Sequence, residues 1–272
     1  MAYEIKCDTH THTLYSRHAY STIEENIRAA KAHGLELLAS TDHFSAMQWA
    51  EPDNIKNYQY LTTCDLWPRE WHGVTLLRGC EADIIDLDGS LYGDTIKVTE
   101  SIVGDPYSEP STLYEYATKK FDYVIASVHG KQFTIGAGTA ALTEMYIRAL
   151  CRPNVLILGH IGRSGLSVDI DPILSTAKSL HKLIEINEHS FGFGGESLHR
   201  CRSILVRCAE LNVPISISTD AHISYDIGKF DKVQQLLQDV HFPEELIASR
   251  DRKHFLRALK DAGLRDLTAL DH

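Results

Sequence analysis

Short apolar runs alternate with amphipathic segments along this chain. The apolar runs are rich in Val, Ile and Leu and are mostly continuous, which is typical of strands that are buried on both faces of a parallel sheet. They predict seven strands, at residues 4–8, 36–41, 74–81, 123–128, 155–160, 183–187 and 214–219. Seven strand–helix repeats without a Pro-, Gly- or Ser-rich linker predict an α/β fold, a single-domain TIM-like barrel over residues 1–272.

Two segments interrupt the alternation. Residues 44–72 contain Trp49, Trp67 and Trp71 and show little periodicity. Residues 89–112 form a long insertion, which we interpret as a hairpin, a lid or an oligomer contact. Long irregular segments in compact domains often serve a function, and the sequence leaves the role of both segments open.

Composition narrows the classes of function. The 272 residues carry a net charge of −10, which argues against a broad surface for nucleic acid or for anionic membranes. No apolar run approaches the length of about 18 residues that a membrane span requires. The six cysteines are scattered without a CxxC pair, and the start MAYEIKCD lacks the basic and apolar regions of a signal peptide. We therefore expect a reduced, cytoplasmic protein.

Metal-binding residue types follow the predicted strands. His10 and His12 are spaced i, i+2, which places both imidazoles on one side of an extended chain. In parallel barrels the reacting groups lie at the carboxyl ends of the strands, and His43 follows Asp42, which we expect to orient it. The pattern predicts a multinuclear metal centre, and hence an enzyme, with nine ligands: His10, His12, His18, His43, Glu81, His129, His160, Asp220 and His222.

The ligand types predict the chemistry. Nitrogen and oxygen ligands without cysteine suit Zn²⁺, Mn²⁺ or Fe²⁺. Clustered divalent ions supply hydroxide from a bridging water and clamp phosphoryl oxygens, so we expect attack on a phosphate monoester, with Glu81 and Asp220 at the reacting centre. Arg163 and Lys131, which follow His160 and His129, are the candidates to hold the phosphate; the alternative is that they are surface charges.

Other features set the limits of this interpretation. No GxxxxGK[ST] or GxGxxG motif is present, so we expect no nucleotide cofactor. His189 and His199 flank a glycine-rich loop and are candidates to line the mouth of a substrate site.

Two alternatives stay open: a metallo-amidohydrolase that cleaves a C–N bond, because those barrels also begin with HxH, and a barrel that binds metal or a partner without catalysis.

Several short motifs also carry a family resemblance. The HxH of His10 and His12, the TDH that ends at His43, the RGxE that ends at Glu81, the GH of His160 and the DAH of residues 220–222 resemble the PHP superfamily of polymerases and histidinol phosphatases. The similarity is greatest to its YcdX-like branch of stand-alone phosphatases.

That resemblance implies a distorted (β/α)7 barrel with three metal ions, usually zinc and sometimes iron or manganese. It implies that Glu81 bridges the first two ions. The three ions would be held by three sets of ligands: His10, His12, Glu81 and Asp220; Glu81, His129 and His160; His18, His43 and His222. It further implies a small phosphorylated substrate and a homotrimer. Histidinol phosphate, a nucleotide 3′-phosphate and a short oligonucleotide all remain possible substrates.

Overall fold

A computed structural model describes residues 3–271, and a nearly closed parallel barrel forms its centre. The strands of this part of the chain are β1 (Cys7–Thr11), β2 (Leu37–Ser40), β3 (His43–Phe44), β4 (Glu70–Trp71), β5 (Val74–Asp83), β6 (Lys97–Glu100), β7 (Pro106–Thr112), β8 (Tyr123–Ser127), β9 (Val155–Leu158), β10 (Leu183–Asn187) and β11 (Ile215–Ser218). The barrel has the strand order β1-β2-β5-β8-β9-β10-β11, and each neighbouring pair is parallel.

Helices flank the barrel strands. In the described residues they are α1 (Ile23–Ala32), α2 (Gln59–Thr62), α3 (Leu113–Thr118), α4 (Thr139–Leu150), α5 (Ile161–Ser164), α6 (Ile170–Ser179), α7 (Gly195–Leu211), α8 (Asp231–Val240) and α9 (Arg252–Asp261). Helix α1 begins after Thr22, which forms a reciprocal capping box with Glu25. None of the helices within residues 3–271 is long and apolar enough to cross a membrane.

The ends of the barrel meet between β1 and the segment after β11. The Asp220 N–H donates to the His10 carbonyl and the His12 N–H donates to the Ala221 carbonyl, both at 2.9 Å. Deeper in the barrel, the hydroxyls of Thr9 and Ser216 are 2.8 Å apart. These contacts join the first and last strands, so the closure itself brings His10 and His12 to the segment that carries Asp220.

All seven predicted barrel strands are present, but the first lies at Cys7–Thr11 rather than at residues 4–8. The error has a physical reason. The polar residues of this strand are fully buried and find partners there: Asp8 accepts from the N–H and hydroxyl of Thr219, and the Thr11 hydroxyl donates to the Ala39 carbonyl. A polar sequence therefore continues a strand that apolar patterning alone would end.

Apolar and polar residues occupy opposite ends of the barrel. Near the amino ends of the strands, Cys7, Leu37 and Tyr123 pack with Phe255 and Leu259 of α9. The Tyr123 and Phe255 rings meet edge-on with centroids 5.7 Å apart. Helix α9 thus closes the lower end of the barrel with an apolar plug, and polar side chains gather at the carboxyl ends of the strands.

The two irregular segments are both ordered parts of this domain. Residues 44–72 form short helical turns that bury Tyr58, Leu61 and Cys64 in the main core. The 89–112 insertion contains the antiparallel hairpin β6–β7, which confirms the hairpin interpretation. Much of β7 is exposed. A role of the hairpin as a lid, and the homotrimer, stay predictions.

One buried ion pair ties the long connection before β5 to the barrel. The buried Asp122 carboxylate accepts two hydrogen bonds from the Arg69 guanidinium, at 2.5 and 2.9 Å, and one from the Arg78 N–H at 2.9 Å. By contrast, Asp65 pairs with Lys120 at 2.7 Å in an exposed position.

We predict that Asp122→Ala lowers the free energy of unfolding by about 3 kcal/mol, because it leaves a buried N–H and a partly buried guanidinium without their acceptor. Asp65→Ala is the matched control and should cost less than about 1 kcal/mol, since exposed ion pairs contribute little. Urea unfolding of both variants measures the difference. Equal losses would show that Asp122 is no more important than a surface pair.

Candidate metal centre

The fold brings the nine predicted ligands together at the carboxyl ends of the strands. His10 lies in β1, His43 in β3 and Glu81 in β5, and His43 and Glu81 are register partners in the sheet. The other six residues lie in the loops that directly follow β1, β8, β9 and β11. Six of the nine are almost completely buried, and His18, the most exposed, reaches in from the loop before α1.

The first group contains two imidazoles and two carboxylates. The Nε2 atoms of His10 and His12 are 3.1 Å apart, and His12 Nε2 is 3.1 Å from Asp220 Oδ1. Glu81 Oε2 lies 3.3 Å from His10 Nε2 and 3.6 Å from His12 Nε2. Four ligand atoms therefore surround one point between β1, β5 and the segment after β11.

The second and third groups lie on either side of Glu81. Its other oxygen, Oε1, is 2.6 Å from His160 Nε2 and 3.4 Å from His129 Nε2. In the third group, His222 Nε2 is 3.1 Å from His18 Nε2 and 3.4 Å from His43 Nε2. His43 Nδ1 also lies 2.8 Å from Glu81 Oε2. Glu81 thus contacts members of all three groups.

Hydrogen bonds on the outer side of three rings fix their tautomers. The Nδ1 atoms of His10 and His129 face the carboxylates of Glu185 and Asp83, both at 2.7 Å. His222 Nδ1 faces the Asp220 carbonyl at 3.0 Å. Because these oxygens only accept, each Nδ1 carries the proton. In the neutral rings, the Nε2 lone pairs then point into the centre, as metal-binding histidines require.

Asp42, which was predicted to orient His43, is linked to it through Ser16. Its carboxylate accepts from the N–H and hydroxyl of Thr13, both at 2.7 Å, and from the Ser16 hydroxyl at 2.7 Å. The Ser16 oxygen in turn accepts from His12 Nδ1 at 3.1 Å and from the His43 N–H at 3.0 Å. Asp42 therefore positions both histidines through the turn after β1.

Sequence reasoning missed three side chains that support the ligands. Glu185 is fully buried and also accepts from the His160 N–H at 2.7 Å and from the Ser218 hydroxyl at 2.6 Å. Asn187 donates to Glu185 and to Asp220 Oδ2, both at 3.2 Å, and Asp83 holds His129. The signal for Glu185 was an acidic residue within the otherwise apolar run LIEIN. The signal for Asp83 was its i, i+2 spacing from Glu81, which places both side chains on one face of β5.

Two ligands have an unusual backbone. Asp220 has φ +56° and His160 has φ +25°, and a residue with a side chain pays about 1–3 kcal/mol for such conformations. Just before His160, a Cβ at Gly159 would meet Ser127 Oγ at 2.2 Å, so only glycine allows this close approach of β9 to β8. The fold thus holds these ligands in strained positions, which is common at functional sites.

The electrostatic environment keeps four of the donors, Glu81, Asp220, His12 and His222, available to a cation. Burial raises the pKa of Glu81 and of Asp220, but the neighbouring imidazoles outweigh burial and hold both pKa values well below their ordinary range. Burial lowers the pKa of His12 strongly and that of His222 to about 4. At neutral pH the two carboxylates are therefore charged and these two rings are neutral.

Unpaired buried atoms show that the residues fit a metal. Glu81 Oε2 and His43 Nδ1 are buried and, despite their separation of 2.8 Å, neither has a hydrogen-bond partner in the described structure. A buried polar atom without a partner costs free energy. A cation between these lone pairs would satisfy both, and the purely nitrogen and oxygen donor set suits zinc, manganese or iron.

A cavity of about 510 Å³ opens above the centre. Five of the ligand histidines form its floor, and its remaining lining residues are Met47, Val128, Lys131, Arg163, Ser164, His189 and Phe193. Both cations predicted to hold a phosphate thus border the cavity, although their roles stay predictions. His189 lies at the mouth as expected, and His199 is not among the lining residues.

The cation nearest the centre is Arg163. Its Nη1 donates to Asp220 Oδ2 at 2.9 Å, and its guanidinium carbon lies 4.9 Å from the centre of the Phe193 ring. The Lys131 ammonium instead donates to the Ser164 carbonyl at 2.9 Å.

Comparison with known proteins identifies the family. The model of the PHP domain matches residues 8–194. The chain belongs to the PHP domain family. A probable phosphatase of Clostridium acetobutylicum is 37% identical over 258 residues, which covers 94% of this chain and 95% of that protein. A probable phosphatase of Clostridium botulinum is 35% identical over 261 residues and covers 96% and 97% of the two chains.

A solved PHP relative has the same fold. The structure of histidinol phosphate phosphatase from Lactococcus lactis, complexed with zinc, L-histidinol and phosphate, superposes with a TM-score of 0.53 and 19% identity. The superposed region covers 88% of this chain and 94% of the Lactococcus lactis chain. The family and the distorted TIM-like barrel that the sequence motifs indicated are therefore confirmed.

We predict that Glu185→Gln weakens zinc binding by about 10- to 100-fold, because an amide cannot accept from His10, His160 and Ser218 together and His10 loses its fixed orientation. Titration of metal-stripped protein against a zinc chelator measures the affinity. Glu210→Gln on the exposed surface of α7 is the matched control and should bind zinc like the wild type. Unchanged affinity in the Glu185 variant would contradict the supporting role.

Proposed function

We propose that this protein is a metal-dependent phosphatase that hydrolyses a phosphate monoester of a small metabolite. The observation that carries the proposal is the convergence of nine metal-competent side chains at the carboxyl ends of the strands, where five of them line one cavity together with Arg163. Membership in the PHP family and the relatives named probable phosphatases support it. The same membership favours phosphoester chemistry over the cleavage of a C–N bond.

The three groups of ligands would hold three divalent ions. His10, His12, Glu81 and Asp220 would bind the first, Glu81 with His129 and His160 the second, and His18, His43 and His222 the third. The interatomic distances of about 3 Å within each group and the two oxygens of Glu81, which face different groups, support this division. Zinc is the metal we favour, with manganese or iron as alternatives.

Hydrolysis forms a bond between a water oxygen and phosphorus and breaks the ester P–O bond, while a proton passes to the leaving alcohol. When bound, the divalent ions would activate the water and neutralise charge on the phosphoryl oxygens. Arg163 would hold those oxygens as well, because Asp220 and Phe193 fix its guanidinium at the edge of the centre.

The size and charge of the protein limit the substrate. A cavity of about 510 Å³ suits a metabolite or a nucleotide, and the net charge of −10 disfavours long nucleic acids. Histidinol phosphate, nucleotides and short oligonucleotides remain candidates. All six cysteines lie in the described residues and are free, which supports a location in the reducing cytoplasm.

We predict that protein loaded with Zn²⁺, Mn²⁺ or Fe²⁺ releases phosphate from small monoesters, and that Asp220→Asn lowers the rate at least about 100-fold. The reason is that this carboxylate contacts His12 and Arg163 and would bind an ion, and even the supporting partners of metal ligands contribute 10- to 100-fold. A continuous phosphate assay with glycerol 3-phosphate and an aryl phosphate measures the rate.

Asp65→Asn is the matched control for this experiment, because Asp65 is exposed and its side chain pairs with Lys120 rather than with a residue of the centre. It should retain the wild-type rate, whereas a contaminating phosphatase would leave the rate unchanged in the Asp220→Asn preparation as well. If the wild-type protein, shown by elemental analysis to be loaded, released no phosphate with any of the metals, the proposed function would be wrong.

A further inference from the structure

The wall of the cavity above the metal centre has an uneven distribution of charge. Its two formal charges are those of Lys131 and Arg163, and among residues 3–271 no Asp or Glu lines the cavity. The other wall residues are apolar, aromatic or neutral. A leaving group with a positive charge would therefore find no counter-charge on this wall, whereas an anionic one would find two cations.

The two cations are adjacent but differ in their bonding. Lys131 donates to the carbonyl of Ser164, the residue after Arg163, so both positive groups lie along the short helix α5. Arg163 is paired with Asp220 at the centre and only 13% of its side chain is exposed. Lys131 is exposed and forms no ion pair within the described part of the chain. Its ammonium keeps protons that are free to bind an anion.

The acidic residues near the site lie in a different place. A smaller cavity of about 310 Å³, on the other side of His189 and His222, is bordered by Glu188, Asp226 and Asp231. Glu188 accepts from the N–H groups of Lys232 and Val233 at 2.9–3.1 Å, so it caps the start of α8. Lysines at positions 229 and 232 border the same cavity. To reach these acidic residues, an ammonium group on the substrate would thus have to lie outside the larger cavity.

We propose that the substrate carries a second anionic group, a carboxylate or another phosphate, on its leaving group, and that Lys131 binds this group while Arg163 holds the phosphate that is cleaved. This inference rests on the proposed phosphatase function. Lys131 is then a residue that determines specificity, and the preferred substrates are acidic phosphorylated metabolites rather than phosphorylated amines such as an amino alcohol phosphate.

Matched substrates test this preference with the zinc-loaded protein. 3-Phosphoglycerate differs from glycerol 3-phosphate by a carboxylate, fructose 1,6-bisphosphate differs from fructose 6-phosphate by a phosphate, and O-phosphoethanolamine carries an ammonium. We expect kcat/KM to be about tenfold higher for the more acidic member of at least one pair, since a hydrogen bond to a charged group is worth about that factor. The pair that shows the increase identifies the second group.

Three variants separate recognition by Lys131 from a structural role. Lys131→Met should bring the ratio of kcat/KM within the preferred pair close to one, and Lys131→Arg should retain most of the preference. Lys178→Met is the matched control, because the Lys178 ammonium also donates to a backbone carbonyl, that of Leu211, at 2.8 Å. It should leave the ratio unchanged. A merely structural Lys131 would lower kcat/KM for all substrates alike and leave the ratio as in the wild type.

Two results would overturn the inference while leaving the phosphatase function intact. One is a wild-type ratio of kcat/KM, acidic over less acidic substrate, at or below one in both pairs. The other is fastest turnover of O-phosphoethanolamine, which would place the leaving group near the acidic residues of the smaller cavity. Elemental analysis after each assay controls for removal of zinc by the acidic substrates. No turnover of any substrate would overturn the phosphatase function, and the inference with it.

Discussion

The burial of one carboxylate, that of Glu81, is the constraint on which the site depends. Its side chain is fully buried, and a buried carboxylate without partners costs several kcal/mol. Imidazoles from β1, β3 and the loops after β8 and β9 approach its two oxygens. These elements extend over the consecutive strands β1, β2, β5, β8 and β9 of the sheet, so the carboxylate is fully compensated only when these strands have assembled.

A second layer of polar contacts makes this arrangement rigid. Glu185, Asp83 and Asp42 do not enter the centre themselves; they hold its ligands by hydrogen bonds to ring nitrogens, backbone N–H groups and hydroxyls. The opposite end of the barrel is apolar and is closed by α9. Stability and chemistry are thus divided between the two ends of the same strands, a division that parallel barrels share.

Much of the fold and of the site could be predicted because most barrel strands are continuous apolar runs, and six of the seven have a predicted metal ligand at or just after their carboxyl end. The position of β1 could not be predicted, since its polar residues are paired inside the barrel with Thr219 and Ala39, which lie far away in the sequence. The contacts of Asp42 and Glu185 escaped prediction for the same reason. Their partners are set by loop conformation and strand register, which a single sequence does not specify.

The charge of the cavity wall likewise emerges only from the fold. Residues 131 and 163 are far apart in the chain, and they border one cavity because they follow β8 and β9, which are adjacent parallel strands. The proposed division of labour follows from this arrangement, with the metal ions and Arg163 at the cleaved phosphate and Lys131 at the far end of the substrate.

The central claim is that three metal ions lie in one centre and that Glu81 bridges two of them. Crystals of the zinc-loaded protein, measured with anomalous scattering on both sides of the zinc absorption edge, test it most directly. We predict three zinc peaks, with one Glu81 oxygen bound to the ion at His10 and His12 and the other to the ion at His129 and His160. A single peak, or peaks that Glu81 does not contact, would contradict the claim.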